Sequence, residues 1–145
     1  MLTLLLAPAA LAFTLSTTVG DIQIEMEAFT PADPRWVVTQ GDTRFLCRAS
    51  YARTRAARDL FRIAEELESV LESDGDREPR CIGYDGHNPG HCHLRVSREA
   101  GALAVAVEHT DEDRNQTEVS TGASPEEVDA LRRSFARFGA AASGG

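Results

Sequence analysis

The chain has 145 residues, 42% of them apolar and 26% charged, and a formal net charge of −8. That length suits one domain large enough to hold a core without staples, and the ordinary composition excludes wholesale disorder. The negative field excludes nonspecific binding to nucleic acid or to an anionic membrane, and it favours a basic protein partner.

Met1 to Leu15 is apolar and carries no Lys or Arg. It resembles the hydrophobic part of a signal peptide without the basic residues that precede one, and Pro8 breaks a run already too short to span a membrane. Residues 1–12 are therefore set apart as an apolar extension, either signal-like or a mis-assigned start, ahead of one domain over 13–139 and a flexible tail over 140–145. Three cysteines, Cys47, Cys81 and Cys92, would leave one unpaired in an oxidised chain. This odd count points to a reducing, cytoplasmic setting, with a secreted domain as the alternative.

Phe13 to Thr18 and Ile22 to Phe29 read as strands joined at Val19-Gly20-Asp21, where Gly and Asp accept a tight turn. Ile22, Ile24, Met26 and Ala28 alternate with Gln23, Glu25 and Glu27, so one face is buried and the other wet. Thr30 to Pro34 is a connection. Trp36 to Gln40 and Thr43 to Tyr51 form a second hairpin about Gly41-Asp42, with Phe45, Cys47 and Ala49 on one side and Arg44, Leu46 and Arg48 on the other.

From Thr54 to Ser73 the spacing changes. Leu60, Ile63, Ala64, Leu67, Val70 and Leu71 recur every three or four residues and make one apolar stripe on a helix, with Arg55, Arg58, Arg62, Glu65, Glu66 and Glu72 facing away. Asp74 to Pro79 reads as an acidic loop, Arg80 to Tyr84 as a short strand, and Asp85 to Gly90 as a tight turn-rich loop. His91 to Ser97 and Ala102 to Glu108 form another hairpin, with Cys92, Leu94, Val96, Leu103, Val105 and Val107 pointing inward. Thr110 to Gln116 is a charged loop, and Glu118 to Thr121 a short strand. Ser124-Pro125-Glu126-Glu127 opens a final helix with a capping box, Val128, Leu131, Phe135 and Phe138 line its buried stripe, and Gly139 is placed at its end. The fold class is α+β: an antiparallel sheet of hairpins with two amphipathic helices packed on one face.

The densest chemical grouping is Cys81, His87, His91, Cys92 and His93, with Asp85 nearby. Thiolate and imidazole bind zinc, and a metal-binding domain or metal-dependent enzyme built on Cys81, His87, His91 and His93 is one reading. The spacing is poor for it: no Cys-x-x-Cys pair exists, and pleating turns Cys92 away from His91 and His93. Cys47, mid-strand, reads as a packed thiol. No nucleophile elbow, phosphate-binding glycine loop or His-Glu-x-x-His pair is present, so no catalytic residue, cofactor or metal is assigned and the chain is read as a non-enzyme. Asn115-Gln116-Thr117 matches a glycosylation acceptor, which matters only in a secretory pathway.

Several local signatures resemble the WapI family of bacterial immunity proteins. They are the hairpin about Gly20-Asp21, Trp36-Val37-Val38 leading to Gly41 and Phe45, Ala49-Ser50 before the helix with Phe61, Leu67 and Leu71, and Asp85-Gly86 followed by Gly90-His91. The insertion at His87 to Pro89 and the apolar residues before Phe13 depart from the pattern. The resemblance implies a protein that neutralises a toxin, such as a nuclease, by occluding it. An acidic surface suits a basic nuclease groove, and the carboxylates that could supply it are Glu65, Glu66, Glu68, Glu72, Asp74, Asp76, Asp111, Glu112 and Asp113.

Overall fold

The structure, a computed structural model, describes residues 11–29, 34–48, 53–72, 77–83 and 91–143. The order is β1 (Leu11–Val19), β2 (Ile22–Phe29), β3 (Arg35–Gln40), β4 (Thr43–Arg48), α1 (Arg53–Leu71), β5 (Arg77–Gly83), β6 (His91–Glu99), β7 (Ala102–Thr110), β8 (Gln116–Ala123) and α2 (Pro125–Ala142). The fold is α+β, all its strand pairings are antiparallel, and the strands divide into two sheets of four, ordered β1-β2-β3-β4 and β5-β6-β7-β8.

Alternation along the strands decides which face each sheet buries. In the first sheet Ile24 stands opposite Thr17 and Val38, and Met26 opposite Leu15 and Trp36, which gathers the large apolar side chains on one side. In the second sheet Leu94 faces Val107, Val96 faces Val105, and Val107 faces Val119. These side chains join the buried stripes of both helices in one core, with Trp36, Phe135 and Phe138 among its largest members. Full burial of side chains of this size stabilises the fold by roughly 1.5–3 kcal/mol each.

The helices are exchanged between the halves. α1 follows the first sheet but lies mainly against β5 and β6, whereas α2 follows the second sheet but lies mainly against β1 and β2, and the helices pack along each other. Neither half covers its own sheet, so the core forms only when both are present.

The second helix starts as its sequence dictates. The Ser124 side chain accepts from the Glu127 N–H at 3.1 Å, and the Glu127 carboxylate accepts from the Ser124 N–H at 3.0 Å. Near this cap the β1–β2 turn meets the second sheet: Gln40 donates to the Asp21 carboxylate and to the Ser120 carbonyl, both at 2.8 Å.

Several boundaries differ from the sequence reading. Gly139 does not end α2: it is buried inside the helix under the Phe61 ring, and the chain continues helically to a buried Ala142. Alanine is the best helix former, and the close ring leaves no room for a side chain at 139 without adjustment. β5 begins at Arg77 within the expected acidic loop, and its register with β6 slips between Arg77 and Arg80, where Pro79 cannot donate to a ladder. β8 is twice the expected length, and β1 takes in Leu11 and Ala12 from the expected extension.

The reading of Cys47 as a packed thiol is corrected, while Cys92 is buried as its strand position predicts. Both are fully buried, Cys47 on the edge strand β4 of the first sheet and Cys92 near the start of the inner strand β6 of the second, and they form a disulfide with Cα atoms 5.6 Å apart. Their inward positions were legible from alternation, but a juxtaposition across two sheets is not a property of either strand.

Candidate functional site

Beside this disulfide the two sheets form an open groove of about 440 Å³, lined by Arg44, Phe45 and Leu46 of β4, His109 of β7, and Asp111, Glu112 and Asp113 of the following loop. The register explains its floor. Phe45 and Cys47 share the inner face of β4, and His109 stands directly opposite Cys92 on β6. The bond between Cys47 and Cys92 therefore brings Phe45 to His109, and their rings stack with centroids 5.1 Å apart and planes 20° from parallel.

The acidic rim is built by its own hydrogen bonds. The Asp111 carboxylate accepts the backbone N–H groups of Asp113 at 2.9 Å and Asn115 at 2.8 Å, while the Asp111 N–H donates to the Asn115 carbonyl at 3.0 Å. This is the Asx-type closure that aspartate favours in tight loops. Arg114 takes φ +68° to complete it. Hydrogen bonding from Asn115, chiefly its backbone N–H, with help from the Asp113 N–H and a smaller coulombic contribution of His109, holds the Asp111 carboxyl below the usual aspartate range despite some desolvation. Asp111 thus spends its charge on the loop, and the exposed Glu112 and Asp113 present theirs at its tip.

The nine carboxylates expected to meet a partner are not brought together. Asp111, Glu112 and Asp113 line the groove. Glu65 and Glu68 are exposed on α1, Glu72 is exposed just after it, and Glu66 is half-buried on the helix, all outside the groove lining. Asp74 and Asp76 lie outside the described residues. Arg44, Phe45, Leu46 and His109 were missed, because the groove joins strand ends more than sixty positions apart and no local pattern marks it.

The cysteine–histidine grouping falls partly on strands and partly outside the described residues. Cys92 is committed to the disulfide, Cys81 lies on β5, His91 and His93 lie on β6, and His87 with the Asp85 to Gly90 loop lies outside the described residues. Among the described residues no group of three or more His, Cys, Asp or Glu side chains is placed to hold a metal ion. Among the described residues, no Ser, Thr or Cys lines the groove. Two smaller depressions, about 390 Å³ beside Glu25 and Glu27 and about 200 Å³ beside Arg95 and Ala104, lie on the sheet surfaces. No helix among the described residues is long and apolar enough to cross a membrane.

No family model matches the chain, and no curated protein matches it. Among solved structures it is similar to WHY1 from Arabidopsis thaliana, with 12% identity over 94% of each chain and a TM-score of 0.46.

Proposed function

We propose that the chain is a non-enzymatic protein-binding domain of the kind the WapI resemblance implies, an immunity protein that occludes a toxin through an acidic surface. The observation that supports this reading most directly is the pre-organised loop that sets Glu112 and Asp113 on the rim of an aromatic groove. A rigid acidic rim needs little ordering on association, and its field accelerates encounter with a basic partner. The exposed acids of α1 add to that field. The direct test is to look for a toxin gene beside this one and to co-express the pair. Protection of the host, together with an affinity that falls as salt rises, is the expected result; an unprotected host counts against the reading.

The compartment follows the cysteines. We infer an oxidising setting in place of a cytoplasmic one, because the Cys47–Cys92 disulfide pairs two of the three cysteines and would be reduced in a thiol-rich cytosol.

A further inference from the structure

We propose that the groove between β4 and the Asp111 loop is the seat of an arginine side chain presented by a basic partner protein. This inference rests on the protein-binding reading above and deepens it by naming the chemistry recognised. The floor is partly apolar: Phe45, largely buried and stacked on His109, with Leu46 alongside. The rim is acidic. The lining residues carry three carboxylates, Asp111, Glu112 and Asp113, against one guanidinium, Arg44, a formal balance of −2 with His109 neutral.

A cation with an apolar stem fits that combination, and a nucleic-acid phosphate does not. Between the two cationic side chains, arginine matches better. Its planar guanidinium lies against aromatic faces and offers paired donors to carboxylates, whereas a lysine ammonium is a compact, strongly hydrated point charge. The rim is already in place, since Asp111 fixes the loop through the Asp113 and Asn115 N–H groups and leaves Glu112 and Asp113 at its tip. The disulfide fixes the floor in the same way from below.

The experiment is a titration of the full, oxidised, 15N-labelled chain with hexa-arginine and with hexa-lysine at one ionic strength, read by amide chemical shifts. Saturable shifts at Phe45, Leu46, His109, Glu112 and Asp113, at lower concentrations of hexa-arginine than of hexa-lysine, are expected. The double variant Glu112→Gln/Asp113→Asn should weaken hexa-arginine binding by about tenfold, as the loss of two exposed charge contacts would. Neither carboxylate makes the bonds that close the loop, so the variant's spectrum should otherwise overlay the parent's, and Glu99→Gln on the distant β6–β7 turn should bind as the parent does. Shifts centred on α1, equal response to the two peptides, or unchanged affinity in the double variant would each overturn the assignment. Neutralisation of a co-expressed toxin in that case would remove the arginine seat alone and leave the binding reading standing.

Discussion

The backbone N–H of Gly20 donates to the Glu127 carboxylate at 2.7 Å, across 107 positions of sequence. The residue that closes the first turn of α2 therefore also pins the first hairpin turn. Hydrogen bonds from the Ser124 and Gly20 N–H groups, in that order, hold the Glu127 carboxyl below its ordinary value of 4.5, against a smaller opposing effect of desolvation. Because the folded value is the lower one, the ionised form favours the fold. The contribution is complete above the unfolded value and is lost as pH falls through it toward the folded one. Glu127→Gln should lower the melting temperature at about pH 7 and show a shallower further loss on acidification below about pH 4.5 than the parent. Parallel acid-melting curves for the two proteins would refute the tie.

Two hairpin-turn glycines of like backbone conformation should respond to substitution by different amounts. Gly20 has φ +57°, and a Cβ there would sit 2.1 Å from Thr121 Oγ1 and 2.9 Å from the Gly122 carbonyl oxygen. Gly41 has φ +58° with nothing within 4 Å. Gly20→Ala combines left-handed strain with overpacking against backbone and should cost roughly 2–5 kcal/mol, whereas Gly41→Ala meets the strain alone and should cost roughly 1–2 kcal/mol. Denaturant unfolding of both variants distinguishes a packed turn from a merely tight one.

The disulfide closes a loop of sequence separation 45. Removing the loop-closure constraint by Cys47→Ala/Cys92→Ala should destabilise the chain by about 4 kcal/mol on the chain-entropy account. Before that, a thiol titration of the denatured, unreduced protein should find a single reactive cysteine per chain, Cys81. Three reactive thiols would return Cys47 and Cys92 to the packed state that their strand positions alone suggest.

How much of this was legible beforehand depends on the range of the interaction. Alternation at Ile22, Ile24 and Met26, the stripe from Leu60 to Val70, and the Ser124–Glu127 capping box are local, and the structure places them as their spacing requires. What escaped is long-range. Hairpins specify pairing within each half, but nothing in β4 or β5 says that they do not pair with each other, so the division into two sheets was not readable. The groove escaped for the same reason, since Phe45 and His109 meet only because strands of the two sheets do. Gly139 misled because glycine more often follows a helix than lies buried within one under an aromatic ring.

Trp36 is fully buried and meets the edge of Phe135 at 5.3 Å, yet its indole N–H finds no hydrogen-bond partner among the described residues. Trp36→Phe loses volume but also removes a desolvated donor, so the two effects offset and the net cost should stay below about 1.5 kcal/mol. Phe135→Ala, which only opens a cavity, should cost roughly 3–5 kcal/mol. A Trp36→Phe penalty as large as that of Phe135→Ala would mean that the indole N–H is bonded in solution.

The exchange of helices makes a prediction about the halves themselves. A fragment ending after α1 would hold β1 to β4 without α2, the helix that covers β1 and β2, and would leave the Leu60 to Val70 stripe without the β5 and β6 surface it packs on. A four-stranded sheet with an uncovered apolar face and a helix with no platform cannot offset the entropy of ordering them. Residues 1–76 and 77–145, made separately, should each lack a cooperative unfolding transition, and mixing them should restore one at a strength set by concentration. If either fragment alone gives a sigmoidal denaturation curve, the halves are independent units and the interlocked core is not what holds the chain together.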